Sequence, residues 1–477
     1  MKVLMFGWEF PPHITGGLGT ACYGLTKAMS SFDDMDITFV VPKAYGDEDT
    51  SVADIKSAEQ VEVNMDIITE KQNRIKAQIE NIQSQEFSKT NQHEDIHEKI
   101  KYIEIQSLIK PYLSPEEFEK YLKEEKLTER EFFVNKEGKI VYYVDGKEVE
   151  LELPSDYYKE ENKTFFRFSG KYGKSLITEV SNYAIIASEL AKKEEFDIIH
   201  AHDWLTYLAG VAAKQASGKK LVIHVHATEF DRSGENVNQL VYDIERYGME
   251  HADKIIAVSE LTRQIVINRY GQAPEKVVVV HNAVIPQKEE ETAYKKNVKE
   301  KIVTFLGRIT FQKGPEYFVE AAYKVLQKTD NVRFVMAGSG DMLRKMIRRA
   351  AALRITDKFH FTDFLKGKDV DHMFAISDVY VMPSVSEPFG ISPLEAMRSN
   401  VPVIISKQSG VAEILHHAIK VDFWDIDAIA DSIYGLVEYE GLAKMFSAMG
   451  KAEVDALKWE NAGKKVEEIY RETLNNG

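Results

Sequence analysis

Short runs of β-branched and apolar residues recur along this chain, separated by stretches whose apolar positions repeat at helical spacing. Before residue 281 the runs are KVLMF, DITFVV, DIIHAH, LVIHVH, KIIAV and KVVVV; after it they are KIVTFLG, VRFVMAG, VYVMPS and VPVIIS. Such runs alternating with helical periods predict parallel strands covered by helices on both faces. Residues 284–301, VIPQKEEETAYKKNVKEK, carry no hydrophobic period and read as a linker. Each half opens alike, with KVLMFG at 2–7 and KIVTFLG at 301–307. The pattern therefore predicts an α/β protein of two Rossmann-like domains in tandem, residues 1–283 and 284–456, with the cleft between them as the default ligand site. A final helical stretch over 457–477 sets Trp459, Val466, Ile469 and Tyr470 on one face.

Residues from about 44 to 170 break the alternation. They hold a charged helical stretch, EKQNRIKAQIENIQSQ, a helix start at SPEEFEKYLKEEK and a hairpin, KIVYYVDGKEVELEL, turning at Asp145-Gly146. This reads as an α+β insertion in the first domain. Its aromatics, among them Phe132, Phe133, Tyr142, Tyr143, Tyr157, Tyr158, Phe165, Phe166 and Phe168, suit either a sugar-stacking surface or the insertion's own small core.

Composition narrows the function classes. The 477 residues, 44% hydrophobic and 29% charged, suffice for two cores. Cys22 is the single cysteine, so no intrachain disulfide forms and a reducing, cytoplasmic setting is expected. The apolar run at the start is broken by Glu9 and Pro11, so it reads as a buried strand and not as a signal peptide. No run approaches the roughly 20 apolar residues that a spanning helix needs. A net charge of -15 disfavours nucleic acid and anionic membrane surfaces as partners.

Four constellations carry candidate chemistry. In HITGGLGTACYGLTKAM, Gly16, Gly17 and Gly19 precede an amphipathic helix. The loop is either a tight turn or a place where a ligand meets the backbone and an anion meets the helix N-terminus. In FLGRITFQKG, Arg308 and Lys313 follow the first strand of the second domain, where two cations suit a diphosphate. In IIHAHDW and LVIHVHATEFDRSG stand His200, His202, Asp203, His224, His226, Glu229 and Arg232. No H-E-x-x-H or second cysteine accompanies them, so no metal site is expected; His200 and His224 read as buried and satisfied, His202 and His226 as nearer the cleft. In SVSEPFGISPLEAMRSN, Glu387 and Glu395 stand eight positions apart. Ser392-Pro393-Leu394-Glu395 has the spacing of a capping box, and both carboxylates equally suit a ligand.

Together EPFGISPLE, GRITFQKG, HAHDW, HATEFDRSG and the Gly-Gly loop with its preceding WEFPP resemble the retaining glycosyltransferases of the two-domain GT-B type, and within them the bacterial glycogen (starch) synthase-like enzymes. The motifs run through both domains in the right order, whereas the insertion has no counterpart. The resemblance implies that Glu387 holds donor-sugar hydroxyls and Glu395 the nucleotide ribose, with Phe389, Gly390 and Ile391 completing the donor site. It implies that Arg308 and Lys313 neutralise the donor phosphates, that Gly16 and Gly17 offer backbone donors to them, and that His202 touches the transferred sugar. His226, Glu229 and Asp203 become further sugar or acceptor contacts. One departure stands out: Ile14 occupies the place of the lysine in the Lys-x-Gly-Gly loop of glycogen synthases.

The implied activity is transfer of glucose, with retention, from ADP-glucose or UDP-glucose to the non-reducing end of an α-1,4-glucan, without metal or other cofactor. A glycosidase would place an acid and a nucleophile or base on either side of the sugar, roughly 5 to 9 Å apart, and Glu395 at the nucleotide end does not suit that. Rival readings are the same chemistry on a lipid-linked or cell-surface glycan or a sugar phosphate, a silent glycan-binding GT-B protein, and a phosphorylase recognisable by pyridoxal phosphate absorbance. The resemblance also implies a terminal helix that crosses back to the first domain, with hinges near 284 and 456.

Overall fold

The computed structural model describes residues 1–13, 16–63, 132–134, 140–144, 147–150, 157–160, 163–173, 176–285, 296 and 298–475. The charged stretch at 70–85, the expected helix start at 114, the Asp145-Gly146 turn and Ile14 lie outside these residues.

In chain order the strands are β1 (Lys2–Phe6), β2 (Asp36–Val41) and β3 (Asp54–Ser57), then β4 (Phe132–Val134), β5 (Ile140–Val144), β6 (Lys147–Glu150), β7 (Tyr157–Glu160) and β8 (Lys163–Phe166). There follow β9 (Ile198–His202), β10 (Lys220–Val225), β11 (Lys254–Ala257) and β12 (Val277–Val279). The second half contributes β13 (Lys301–Leu306), β14 (Val332–Ala337), β15 (Phe359–Thr362), β16 (Val379–Met382), β17 (Val403–Ser406) and β18 (Ile419–Val421). The first sheet runs β12-β11-β10-β9-β1-β2-β3 and the second β15-β14-β13-β16-β17-β18, with every pairing in both parallel. Two parallel sheets, each with its own buried core, form the expected two-domain α/β fold.

The strands absent from the apolar pattern, β3, β15 and β18, are all sheet edges. DIKS, FHFT and IKV are short and half exposed, so they need no continuous apolar run. β3 lies inside the stretch read as an insertion, which therefore contributes an edge to the first sheet. The expected hairpin is present as the antiparallel pair β5–β6, joined by β4, and β7–β8 forms a second hairpin. Phe166 and Phe168 serve neither as a stacking surface nor as a separate small core. Both are buried in the main core of the first sheet, where Phe168 packs edge-on to Tyr183.

The last helix explains its apolar stripe. Residues Trp459–Asn475 lie against the first helix of the chain, Gly17–Met29, and Trp459, Ala462, Val466, Ile469 and Tyr470 are buried with Val3, Met5 and Ile198 of the first sheet. Gly24 makes the contact possible, because a Cβ there would come within 2.3 Å of the Trp459 ring. Burying each large side chain contributes roughly 1.5 to 3 kcal/mol.

Candidate active site

The donor side is built on strand ends of the second sheet. β13 ends at Leu306, and after Gly307 the residues Arg308 to Gly314 form a loop with a 3-10 turn at Phe311–Lys313. Gly314 closes it with φ +64, and any Cβ there would lie 2.0 Å from the Pro383 carbonyl, so only glycine permits the loop to sit this close to β16. That proximity brings Lys313 to Glu387: the ammonium donates to the Glu387 carboxylate, which also accepts from Ser384 Oγ at 3.2 Å. The Glu387 backbone is held on both sides, its N–H bonded to Gln408 O at 2.9 Å and its carbonyl accepting from Gly410 N at 2.9 Å. Arg308 donates to Gln312 Oε1 at 3.3 Å and lies near Asp341, whose carboxyl is pushed up by burial and only partly drawn back by that guanidinium.

Glu395 takes a different place from the one its spacing suggested. The helix Ser392–Arg398 is capped by Ile391, itself in the helical region, with no side-chain cap; Leu394 N and Glu395 N donate to the Ile391 carbonyl at 2.9 and 3.1 Å. Ser392 is thus already helical, and its hydroxyl bonds with Tyr380. The capping box is absent, and the Glu395 carboxylate is not committed to the helix start. Burial raises its pKa, and Arg398 opposes the rise. Phe389 has its side chain in the core, Ile391 is half-buried, and Gly390 turns the chain with φ +102 under Met382.

On the facing side, β9 and β10 set four imidazoles in register. Ring centroids of His200 and His202 are 4.2 Å apart and those of His224 and His226 4.3 Å apart, and His202 Nδ1 lies 3.0 Å from His226 Nε2. His200 bonds to the Tyr470 hydroxyl of the last helix. The expectation of satisfied rings fails at His224, neither of whose nitrogens has a partner among the described residues, and His202 is fully buried. Burial holds His200, His202 and His224 well below the ordinary histidine range and lowers His226 to about 3, so the whole stack is neutral at physiological pH.

Asp203 follows directly, with φ 62 and ψ 167, a conformation that costs a non-glycine residue of order 1 to 3 kcal/mol. Its carboxylate accepts from Trp204 N at 3.0 Å and caps the next helix, and burial pushes its pKa up to about 6 against the pull of Arg232. Backbone strain of this kind is typical of functional sites.

The HATEFDRSG segment holds a capping box. Thr228 caps the helix Glu229–Ser233, and Asp231 reaches back to Thr228 N at 2.8 Å. Glu229, expected at a sugar, is instead consumed inside its own domain: its carboxylate accepts from Arg232 Nε at 3.1 Å, Ser233 Oγ at 2.6 Å and Asn238 N at 3.0 Å. Arg232 also meets Glu245, which accepts from Tyr270 as well. The residue that faces the other domain is Asp231, whose Oδ1 accepts from Ser386 Oγ at 2.6 Å. Sequence reasoning passed over both partners, although the T-x-x-D spacing was a usable signal for Asp231.

Two further contacts close the junction. Pro388 O accepts from Ser259 Oγ at 2.5 Å and Thr262 Oγ1 at 3.3 Å. Glu413 accepts from the first N–H groups of the helix Glu260–Tyr270, at 2.8 and 2.7 Å, and from His281 at 3.0 Å. These bonds bring the loop of Glu387 and the loop of Gly410 against the first domain. The helix Glu229–Ser233 lies against the turn that carries Lys313. At the start of the Gly17–Met29 helix, Gly16 and Gly17 are exposed with open space above each, so their N–H groups are accessible to an anion.

Comparison with known proteins follows the same division. Residues 286–453 match the family described as "Glycosyl transferases group 1", residues 157–288 "Glycosyltransferase Family 4" and residues 2–103 "Starch synthase catalytic domain". An uncharacterized glycosyltransferase of Methanocaldococcus jannaschii is 29% identical over 311 residues, 60% of this chain and 79% of that protein. Sucrose-phosphate synthase from Thermosynechococcus elongatus has a similar structure over 100% of both chains, with a TM-score of 0.63 at 14% identity. A second structure, Anabaena HepE in complex with UDP and glucose, aligns over 62% of this chain and 82% of its own, with a TM-score of 0.53 at 18% identity. Among the described residues no helix is long and apolar enough to cross a membrane.

Proposed function

We propose that this chain, of GT-B fold, is a glycosyltransferase that transfers glucose with retention from ADP-glucose or UDP-glucose to the non-reducing end of an α-1,4-glucan. The observation that carries this reading is the contact of Lys313 with Glu387 at the junction of the two domains. It joins a phosphate-suited cation to a sugar-suited carboxylate, one residue from Ser386, which bonds to Asp231 of the first domain. The match of the first residues to starch synthase catalytic domains supports the glucan, and the UDP and glucose bound by HepE support the donor.

In the proposed reaction the bond between the anomeric carbon and the phosphate oxygen breaks, and the nucleoside diphosphate leaves with the electron pair. Arg308 and Lys313 neutralise the charge that builds on it, and Gly16 and Gly17 add backbone N–H groups; such contacts strengthen as the leaving group departs. The acceptor hydroxyl bonds to the same face of the sugar, and its proton passes to the departing phosphate oxygen. Glu387 binds sugar hydroxyls, Glu395 the ribose, and His202 and His226 the sugar's far edge. No metal is needed in the transfer step. Closure over the Ser386–Asp231 contact excludes water and so limits hydrolysis of the donor.

The protein incubated with a panel of nucleotide sugars and glycogen should elongate the glucan from one glucose donor, the new linkage being α by NMR. Turnover of the donor onto lipid-linked glycan or sugar phosphate alone, with glycogen untouched, would replace the acceptor assignment. No turnover of any nucleotide sugar would leave a glycan-binding role.

A further inference from the structure

Cys22 has no part in the reaction above, yet it is buried beside it. It lies on the helix Gly17–Met29, and Cys22, His202 and His226 each place one ligand atom within 4.8 Å of the other two. A tetrahedral zinc site, with Zn–N of about 2.0 Å and Zn–S of about 2.3 Å, spaces its ligand atoms roughly 3.3 to 3.6 Å apart. The three groups therefore need to close by little more than about 1 Å.

His202 is fully buried, and its Nε2 has no hydrogen-bond partner among the described residues, a cost that coordination through Nε2 would remove. Burial, with the carboxylates of Asp203 and Glu9, holds the Cys22 thiol well above its ordinary range, so an ion must displace the thiol proton, while the same two buried carboxylates favour a cation beside it. His226 is only half-buried and leaves a path from the cleft.

We propose that Cys22, His202 and His226 form a binding site for one borderline-soft divalent ion of the zinc class, with a fourth position open to water. Binding forms the sulfur–metal bond and releases the thiol proton to solvent. An ion there withholds His202 from a sugar, so zinc inhibits transfer wherever the His202 assignment holds. Binding is measured without turnover and stands or fails independently of that assignment.

The test is titration of the purified full chain with Co2+, read by absorbance and by equilibrium dialysis. One equivalent should bind, with a thiolate-to-cobalt charge-transfer band that Zn2+ abolishes by displacement. Cys22→Ser should lose the band, and His226→Gln, at a half-buried position where folding is less at risk, should weaken binding by about tenfold or more. His13→Ala, in the exposed His13, Asp47 and Glu48 group, should leave both unchanged. Absence of a bound equivalent, or a charge-transfer band that persists in Cys22→Ser, overturns the site, as does undiminished affinity in folded His226→Gln.

Discussion

The Lys313 ammonium is hydrogen-bonded to the Glu387 carboxylate, 74 positions further along the chain. The cation proposed for the donor phosphates thus holds the carboxylate proposed for the donor sugar, and each orients the other before a donor binds. Arg308→Ala or Lys313→Ala should lower kcat by about 100-fold or more, since each removes charge stabilisation of the leaving group. Lys313→Ala should also lower the melting temperature, because it leaves the buried Glu387 with Ser384 as its named partner. A near-normal kcat in folded variants would remove both cations from the chemistry.

Glu395 can be separated from its helix. With Ile391 as cap and no side-chain cap bond, Glu395→Gln should weaken nucleotide binding while leaving the unfolding free energy within about 0.5 kcal/mol of wild type. Titration calorimetry with the nucleoside diphosphate measures the first, and thermal unfolding the second. Unchanged affinity would take Glu395 out of the donor site.

The junction between domains rests on close approach. A Cβ at Gly410 would lie 2.2 Å from Pro388 O and 2.4 Å from Ser259 Cβ. Gly410→Ala should therefore hold the cleft apart and lower kcat/KM for transfer. Ser386→Ala and Asp231→Ala should act as one unit, with a coupling of about 0.5 to 3 kcal/mol in a double-mutant cycle on kcat/KM. Additive effects would show that the 2.6 Å contact does not operate during turnover.

The four imidazoles predict acid lability. Their pKa values are lowered in the fold, so below about pH 6.5 the unfolded chain takes up protons that the folded chain does not. Their contribution to stability is present above that pH and is lost as pH falls, by up to about 1.4 kcal/mol per pH unit for each histidine. Between pH 6.5 and 5, denaturant unfolding of His226→Gln should show a slope shallower by about one proton. An unchanged slope would mean that His226 protonates freely in the folded protein.

The terminal helix belongs to the first core. Removing residues 457–477 should cause loss of folding and not merely loss of closure, because Trp459, Val466, Ile469 and Tyr470 are buried there. The milder Tyr470→Phe, which leaves His200 Nδ1 unpaired, should cost about 1 to 3 kcal/mol by denaturant titration.

The sequence alone determined the two sheets, because central parallel strands are buried on both faces and must be written as continuous apolar runs; KVLMF and KIVTFLG could be nothing else. It also marked Arg308, Lys313, His202 and Glu387 as candidates, since they stand at or just beyond strand ends where glycine and charge interrupt those runs. The edges β3, β15 and β18 were illegible because one exposed side lets DIKS or IKV be polar, whereas the edge β12 was legible because its run, KVVVV, is apolar. The helix start at 392 misled because a capping spacing fixes only distance along the chain, and Ile391 entered the helix a residue early. What only the tertiary structure decided is which carboxylates are spent and which are open. Glu229 is used up by Arg232, Ser233 and Asn238, whereas Asp231 reaches Ser386, 155 residues away. Such choices depend on contacts between distant segments, and no local pattern encodes them.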